Sequence, residues 1–252
     1  LGQQPLLRRG RPAPPQFRSG GARESVGADQ READGGEEHQ GQAPAPTGGR
    51  TEPVADLAQA PSLAGKHNAQ NACAAYAATR ALGIDPRIIA NALTTFGGLP
   101  HRLERAATIS GVRFINDSKA TNANAAAQAL AVYPRVHWIA GGVAKDGGID
   151  ELANFFPRIS RAYLIGQAAG EFSDTLRNKA PVTMAGDLEN AVKLAFEDAK
   201  KAQEPHPVVL LSPACASYDQ FRDYEDRGNQ FKAIVAKLAA EQPDAKKNGS
   251  KK

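Results

Sequence analysis

The sequence predicts an α/β protein: a Rossmann-like, mostly parallel sheet with helices on both faces. Three observations predict it. Between residues 98 and 241, apolar runs of strand length alternate with amphipathic segments of helix length, the pattern of strand–helix–strand units. Several of those runs end in clusters of Gly, Ser, Asp and Lys, where parallel sheets collect their ligands. The chain's 252 residues suffice for one large domain or two small ones.

Residues 1–50 hold 10 Gly and 6 Pro but only 5 Leu, Ile, Val or Phe, too little apolar surface to offset the entropy of ordering. A disordered segment is expected there. Its 7 Arg face 6 acids without RGG repeats, which weakens an RNA-binding reading. Over 51–97 two helices are expected, a small subdomain or the end of a larger one. HNAQNACAAYAATRAL after Gly65 reads as an Ala-rich helix ended by Gly83. DPRIIANALTTF (85–96) reads as a second, with Asp85 as N-cap and Pro86 in its first turn. From 98 to 241, strands are expected at 111–117, 135–142, 161–166, 181–186 and 207–214. Helices are expected at 123–133, 149–156, 168–178, 188–202 and 219–241. QPDAKKNGSKK (242–252) reads as a solvated basic tail.

The formal charge of +4 and pI near 9.1 bring a nucleic-acid partner to mind, but the excess sits in the two termini. Residues 51–241 carry 20 basic and 20 acidic groups and are neutral. Two cysteines make no disulfide framework, and no apolar run approaches the roughly 20 residues of a membrane span. The N-terminus has no charged-then-apolar leader. A cytoplasmic, monomeric protein with neither nucleic acid nor membrane as partner is expected.

Three strand ends carry unusual polar residues. In FINDSKATNANAAA (114–127), Thr121 or Asn122 can cap the following helix, whose N-terminus favours an anion; Lys119 adds a full charge, and Asp117 can accept from a ribose or a guanidinium. An ordinary capping turn with a surface lysine is the plain alternative. In WIAGGVAKDGGIDEL (138–152), Gly141, Gly142, Gly147 and Gly148 allow close approach to a ligand with Lys145 at the tip; a functionless flexible loop has the same composition. In LLSPACASYDQFRDYEDRG (210–228), Ser217, Tyr218 and Asp219 stand at an expected helix start, and Cys215 reads as a buried structural thiol rather than a nucleophile. Upstream, His101 and Arg102 follow Pro100 at a hinge, where Arg102 pairs either with a ligand or across the boundary.

The strings GKHNAQNACAAYAA, TTFGGLPHRLE, NDSKATN, AGGVAKDGG and LLSPACASYDQFRDYEDRGNQF, in this order over about 51–241, resemble the C-terminal part of a Mur ligase, on the branch that adds D-glutamate. The resemblance implies a Mur ligase C-terminal, glutamate-binding domain at 98–241, preceded at 51–97 by the end of the central ATPase domain. It implies ATP-dependent amide-bond formation through an acyl phosphate, with ATP, Mg²⁺, D-glutamate and UDP-N-acetylmuramoyl-L-alanine as cofactors and substrates. Carried over residue by residue, Asn68, Asn71, Arg102 and Asp117 would meet the nucleotide and Lys119 the transferred phosphate. Thr121 and Lys145 would hold the side-chain carboxylate of D-glutamate; Ser217, with Tyr218 to Tyr224, would hold its α-carboxylate. No metal ligand is carried over. A GxxxxGK[ST] loop is missing from these 252 residues: in SLAGKHN, His67 follows Gly65-Lys66 and Ala60 stands where the first glycine should be. The chain therefore reads as a truncated ligase, inactive by itself, with 1–50 joined artificially or read in another frame. A non-catalytic module for an acidic ligand or partner is the alternative, and a folylpolyglutamate synthase-like ligase a weaker one, because SPACASYDQF fits it poorly.

Overall fold

The computed structural model describes residues 16–18 and 53–242, so the disorder expected across 1–50 and the basic tail fall almost wholly outside the described residues. The chain forms two compact units, 1–96 and 97–252. In the first, β1 (Gln16–Arg18) pairs in parallel with β2 (Pro53–Asp56), and single 3-10 turns lead to α1 (Lys66–Ala81) and α2 (Pro86–Thr95). Gly83 ends α1 as anticipated. It adopts φ +84 and donates to the Arg80 carbonyl, while Ile84 N–H reaches back to Thr79, the Schellman arrangement. Asp85 caps α2, accepting from Arg87 N–H at 2.8 Å, with Pro86 where a missing N–H costs nothing.

The second unit contains β3 (Glu104–Ile109), β4 (Val112–Asn116), α3 (Ala123–Val132), β5 (Val136–Gly141), a 3-10 helix (Asp150–Arg158), β6 (Ile159–Ile165), α4 (Ala169–Leu176), β7 (Val182–Gly186), α5 (Leu188–Lys201), β8 (Val208–Leu211) and α6 (Tyr224–Glu241). The sheet order is β3-β4-β8-β5-β6-β7, antiparallel only between β3 and β4. Side chains alternate across it with period two. Trp138, Ala140, Val208 and Leu210 pack under α3, the 3-10 helix and α4; Phe114, Ile139, Val209 and Leu211 pack under α5 and α6. The expected class, mostly parallel with helices on both faces, is what these strands form.

Three details correct the sequence reading. The sheet begins not at 111 but with β3, an edge strand whose Arg105 and Thr108 face solvent, so ERAATI never shows an apolar run. Ser110 (φ +49) and Gly111 (φ +83) make the two-residue turn into β4, both in the left-handed conformation that matches strand twist. The helix expected at 149–156 is a 3-10 helix containing Pro157, which withholds an N–H, and its N-cap Ile149 offers no side-chain acceptor. The last helix starts at Tyr224, not 219. Gln220 and Phe221 N–H groups turn back onto the Ser217 carbonyl, and Asp223 is the cap, accepting from Asp226 N–H at 2.7 Å.

Because β4, β8, β5, β6 and β7 are parallel, their C-terminal ends share one edge of the sheet. After β4 the chain enters α3 on one face; after β8, the neighbouring strand, it enters α6 on the other. The loops diverge there and open the crevice that such sheets use for ligands.

Candidate functional site

The loop after β4 is shaped from within. Asn122, rather than Thr121, caps α3, its side chain accepting from Ala125 N–H at 2.8 Å. Thr121 stays half-buried, its N–H on the Lys119 carbonyl. Asp117 is buried, with one oxygen accepting from Ser212 Oγ at 2.8 Å and the other from Leu103 N–H at 3.2 Å. Burial pushes its carboxyl up to about 7, against the opposing pull of those two donors and of Arg102. Arg102 is exposed and makes no ion pair with Asp117, so the guanidinium partner considered for that carboxylate is replaced by a serine hydroxyl and a backbone amide. Ser212 went unnoticed in the sequence. It is held in turn by Trp138, whose Nε1–H donates to its carbonyl at 2.8 Å.

Lys119 and Tyr224 come together. The ammonium lies 3.8 Å from the centre of the Tyr224 ring, a cation–π contact that fixes a long, otherwise mobile side chain. Behind them the loop is tied to α6: Ser118 Oγ donates to the Tyr224 carbonyl at 2.7 Å and accepts from Arg227 Nε at 3.0 Å. His101, buried at φ +62, packs so close to Gly228 that a Cβ there would lie 2.1 Å from its Nδ1. That glycine inside α6 is the one sequence signal that something presses on the helix.

The loops after β5, β6 and β8 interlock. Gly142 (φ +129) approaches the next loop so closely that a Cβ would sit 2.2 Å from the Ala216 carbonyl oxygen. Val143 and Ala216 exchange both backbone hydrogen bonds at 2.9 Å. Asp219 Oδ2 accepts from Gln167 N–H at 2.9 Å, closing the same edge from the β6 side. Lys145 projects exposed from the β5 loop, Ser217 is buried beneath the β8 loop, and Tyr218 is 75% exposed. Ser217 does not cap a helix as anticipated, since α6 starts seven residues later with Asp223 as its cap. Cys215 is buried and its thiol is pushed up to about 12, which makes it an unreactive core residue.

An open cavity of about 540 Å³ lies at the ends of β6 and β7, lined by Gly166, Gln167, Met184, Gly186, Asp219 and Gln220. Of the sequence-derived site, only Asp219 and Gln220, inside the stretch from Tyr218 to Tyr224, line it; Lys119, Thr121, Lys145 and Ser217 do not. In the first unit, Asn68 is half-buried with its amide on the Ala64 carbonyl at 2.9 Å, and Asn71 is exposed on α1.

Comparison with known proteins places this geometry. Residues 101–215 match the Mur ligase glutamate ligase domain. The UDP-N-acetylmuramoylalanine–D-glutamate ligase of Phenylobacterium zucineum is 57% identical over 199 residues, covering 79% of this chain and 42% of that protein. The protein of the same name from Rhodospirillum rubrum is 54% identical over 203 residues, covering 81% and 43%. Among solved structures, the UDP-N-acetylmuramate-alanine ligase of Thermotoga maritima shares the fold, with TM-score 0.50 at 18% identity over 71% of this chain and 39% of that one. The chain thus spans less than half the length of the relatives it matches. With its parallel sheet and interlocked strand-end loops, the chain belongs to the Mur ligase family, through the glutamate ligase domain at residues 101–215.

Proposed function

We propose that this chain is the D-glutamate-binding portion of a UDP-N-acetylmuramoylalanine–D-glutamate ligase, which joins D-glutamate to UDP-N-acetylmuramoyl-L-alanine at the expense of ATP in peptidoglycan synthesis. The observation that carries it is the 57% identity to a ligase of that name over 199 residues, together with the loops after β4, β5 and β8 meeting at one sheet edge. D-Glutamate is a dicarboxylate, and this edge offers two kinds of anion contact. Thr121 and Lys145 take the side-chain carboxylate; Ser217 and the stretch from Tyr218 to Tyr224 take the α-carboxylate. Held so, the amine is presented in one orientation, and fixing two reactants in this way supplies much of the rate in such ligations. Lys119, restrained by the Tyr224 ring, is set to neutralise phosphoryl charge.

For the nucleotide the residues fit in part. Exposed Arg102 and half-buried Lys119 offer cations to phosphates, while the Asp117 oxygens already have donors in Ser212 and Leu103. In the first unit, Asn68 and Asn71 are the residues proposed to meet the nucleotide. For Mg²⁺ the residues do not fit: among the described residues no group of three His, Cys, Asp or Glu side chains could hold a metal ion, and no step is assigned to one. The domain limits follow the same reading, with 51–97 the end of an ATPase domain and 98–241 the glutamate-binding domain. The setting is a cytoplasmic monomer acting on small molecules; no helix among the described residues is long and apolar enough to cross a membrane.

Calorimetry with D-glutamate tests the proposal. The chain should bind it, and Lys145→Ala should abolish the heat; an unchanged isotherm in the variant would overturn the assignment. Because these 252 residues lack a GxxxxGK[ST] loop, ADP release with UDP-N-acetylmuramoyl-L-alanine, ATP and D-glutamate should stay at background. Robust D-glutamate-dependent release would contradict the reading of the chain as inactive alone.

A further inference from the structure

Arg227 stands out among the buried charges. Its side chain is fully buried in α6, yet no carboxylate lies within ion-pair distance of it among the described residues. Its acceptors are neutral: Ser118 Oγ at 3.0 Å from Nε, and the Ser118 and Cys215 carbonyls at 2.9 and 3.1 Å from Nη2. Nη1 has no hydrogen-bond partner among the described residues. Burial lowers the guanidinium only to about 10, so it remains charged at neutral pH. A buried cation without a counter-ion is expensive, and stability alone would favour a neutral residue of similar size.

What this cation holds is specific. The Ser118 carbonyl belongs to the peptide whose N–H, on Lys119, donates to the His101 carbonyl at 3.0 Å. The Cys215 carbonyl belongs to the peptide whose N–H, on Ala216, donates to the Val143 carbonyl at 2.9 Å. In each peptide the C=O and N–H point opposite ways, so one guanidinium draws two carbonyls inward and polarises two further hydrogen bonds outward. Through those two peptides it reaches four segments: the turn at His101, the loop bearing Lys119 and Thr121, the glycine loop bearing Lys145, and the loop bearing Ser217.

We infer that Arg227 is a positioning residue for the D-glutamate site, a single buried fork that sets the three substrate-bearing loops relative to one another and leaves an unbalanced positive charge behind them. This rests on the proposed function for the identity of the ligand, while the pinning of the loops stands on the hydrogen bonds alone. Lysine keeps the charge but has no fork, so it cannot span both carbonyls and the Ser118 hydroxyl. Methionine removes the charge and keeps much of the volume.

Two measurements on the full 252-residue chain test it. Amide hydrogen exchange reads the pinning without ligand: in Arg227→Lys the Lys119 and Ala216 amides should exchange at least about tenfold faster, with the Ile139 and Leu210 amides of the central strands unchanged. Equal protection at Lys119 and Ala216 would overturn the inference. Calorimetry reads the consequence: D-glutamate affinity should fall by about tenfold or more in Arg227→Met and by less in Arg227→Lys, while thermal midpoints stay close to wild type. A folded Arg227→Met protein binding D-glutamate within about twofold of wild type would also overturn it. If wild type binds no D-glutamate, the proposed function fails and the exchange result still decides the pinning. If the arginine variants do not fold, Ser118→Ala, which frees Nε and also removes the donor to the Tyr224 carbonyl, supplies the exchange comparison at the Lys119 amide, with the same expected and overturning results there.

Discussion

Asp117 offers the sharpest test of the electrostatics, because burial holds its carboxyl at about 7 when its ordinary value is 3.8. Between those two values the unfolded chain is ionised while the folded one keeps its proton. The folded state binds more protons, and stability must fall as pH rises through the window. The displacement of about three pH units, at about 1.4 kcal/mol per unit, makes the full loss about 4 kcal/mol, of which about 2.6 kcal/mol falls between about pH 5 and about pH 8. Asp117→Asn removes the titration while keeping shape and an acceptor for Leu103 N–H. Urea unfolding of both proteins at about pH 5 and about pH 8 isolates the effect: wild type should lose about 2.6 kcal/mol more than the variant on going to the higher pH. His101 and His137, whose basicity burial lowers, push stability the opposite way, but they are common to both proteins and cancel in the difference. The quantity that counts is the change with pH, since the substitution also alters the hydrogen bond with Ser212 by a constant amount. A wild type minus variant difference that does not move with pH would refute the claim that this carboxyl is held protonated by its surroundings.

Two further substitutions follow from the packing. Gly142→Ala would place a Cβ 2.2 Å from the Ala216 carbonyl in a backbone conformation of φ +129, and thermal unfolding should show a loss on the order of 3 kcal/mol or more. Gly147→Ala, also at positive φ but with nothing within 4 Å, should lose only about 1 kcal/mol, so equal losses at the two sites would show that contact is not what matters. Trp138→Phe leaves the buried Ser212 carbonyl without its indole donor and opens a small void; a loss of about 2–3 kcal/mol in denaturant midpoint analysis is expected, and a neutral result would show that the carbonyl finds another donor.

The parts of the fold legible in the sequence are those where one physical requirement dominates. β5 is legible because every residue from Val136 to Gly141 is buried, and α2 because Asp85 and Pro86 leave no other reading of its start. β3 is hidden because an edge strand with a solvated face needs no apolar run. The start of α6 is displaced by a local contest: Ser217, Asp219 and Asp223 all have capping chemistry, and turn bonds to the Ser217 carbonyl consume the first of them. The short strings around Lys119, Lys145 and Ser217 are legible as strand ends because polar residues there are out of place beside apolar strands, and they follow β4, β5 and β8. Ser212 and Arg227 do not stand out, since their importance lies in carbonyls and hydroxyls that only the folded chain brings within 3 Å. A helix containing Glu, Asp, Arg and Gly in succession reads as a solvated surface, and only the close pressure of His101 on Gly228 betrays that one of those side chains points inward.

Attraction of the proposed doubly charged substrate to this domain cannot come from net charge, because residues 51–241 carry equal numbers of acids and bases. It has to come from where the charges are held. Lys145 is exposed at the tip of a glycine loop, where salt within a Debye length of about 8 Å screens it and its chain entropy must be lost on binding. Lys119 sits against an aromatic ring and Arg227 is wholly buried, so both act through a medium of lower dielectric and neither has much freedom left to lose. The N-terminus of α3, capped by Asn122, adds backbone N–H dipoles fixed by the fold. A site built this way spends its ordering cost during folding, and the Val143–Ala216 bridge and the Arg227 fork are where that cost is met. On the proposed function, selectivity for a dicarboxylate of one length would follow from the fixed spacing of the loops, with Lys145 left free to close on the carboxylate that the rigid part has already accepted.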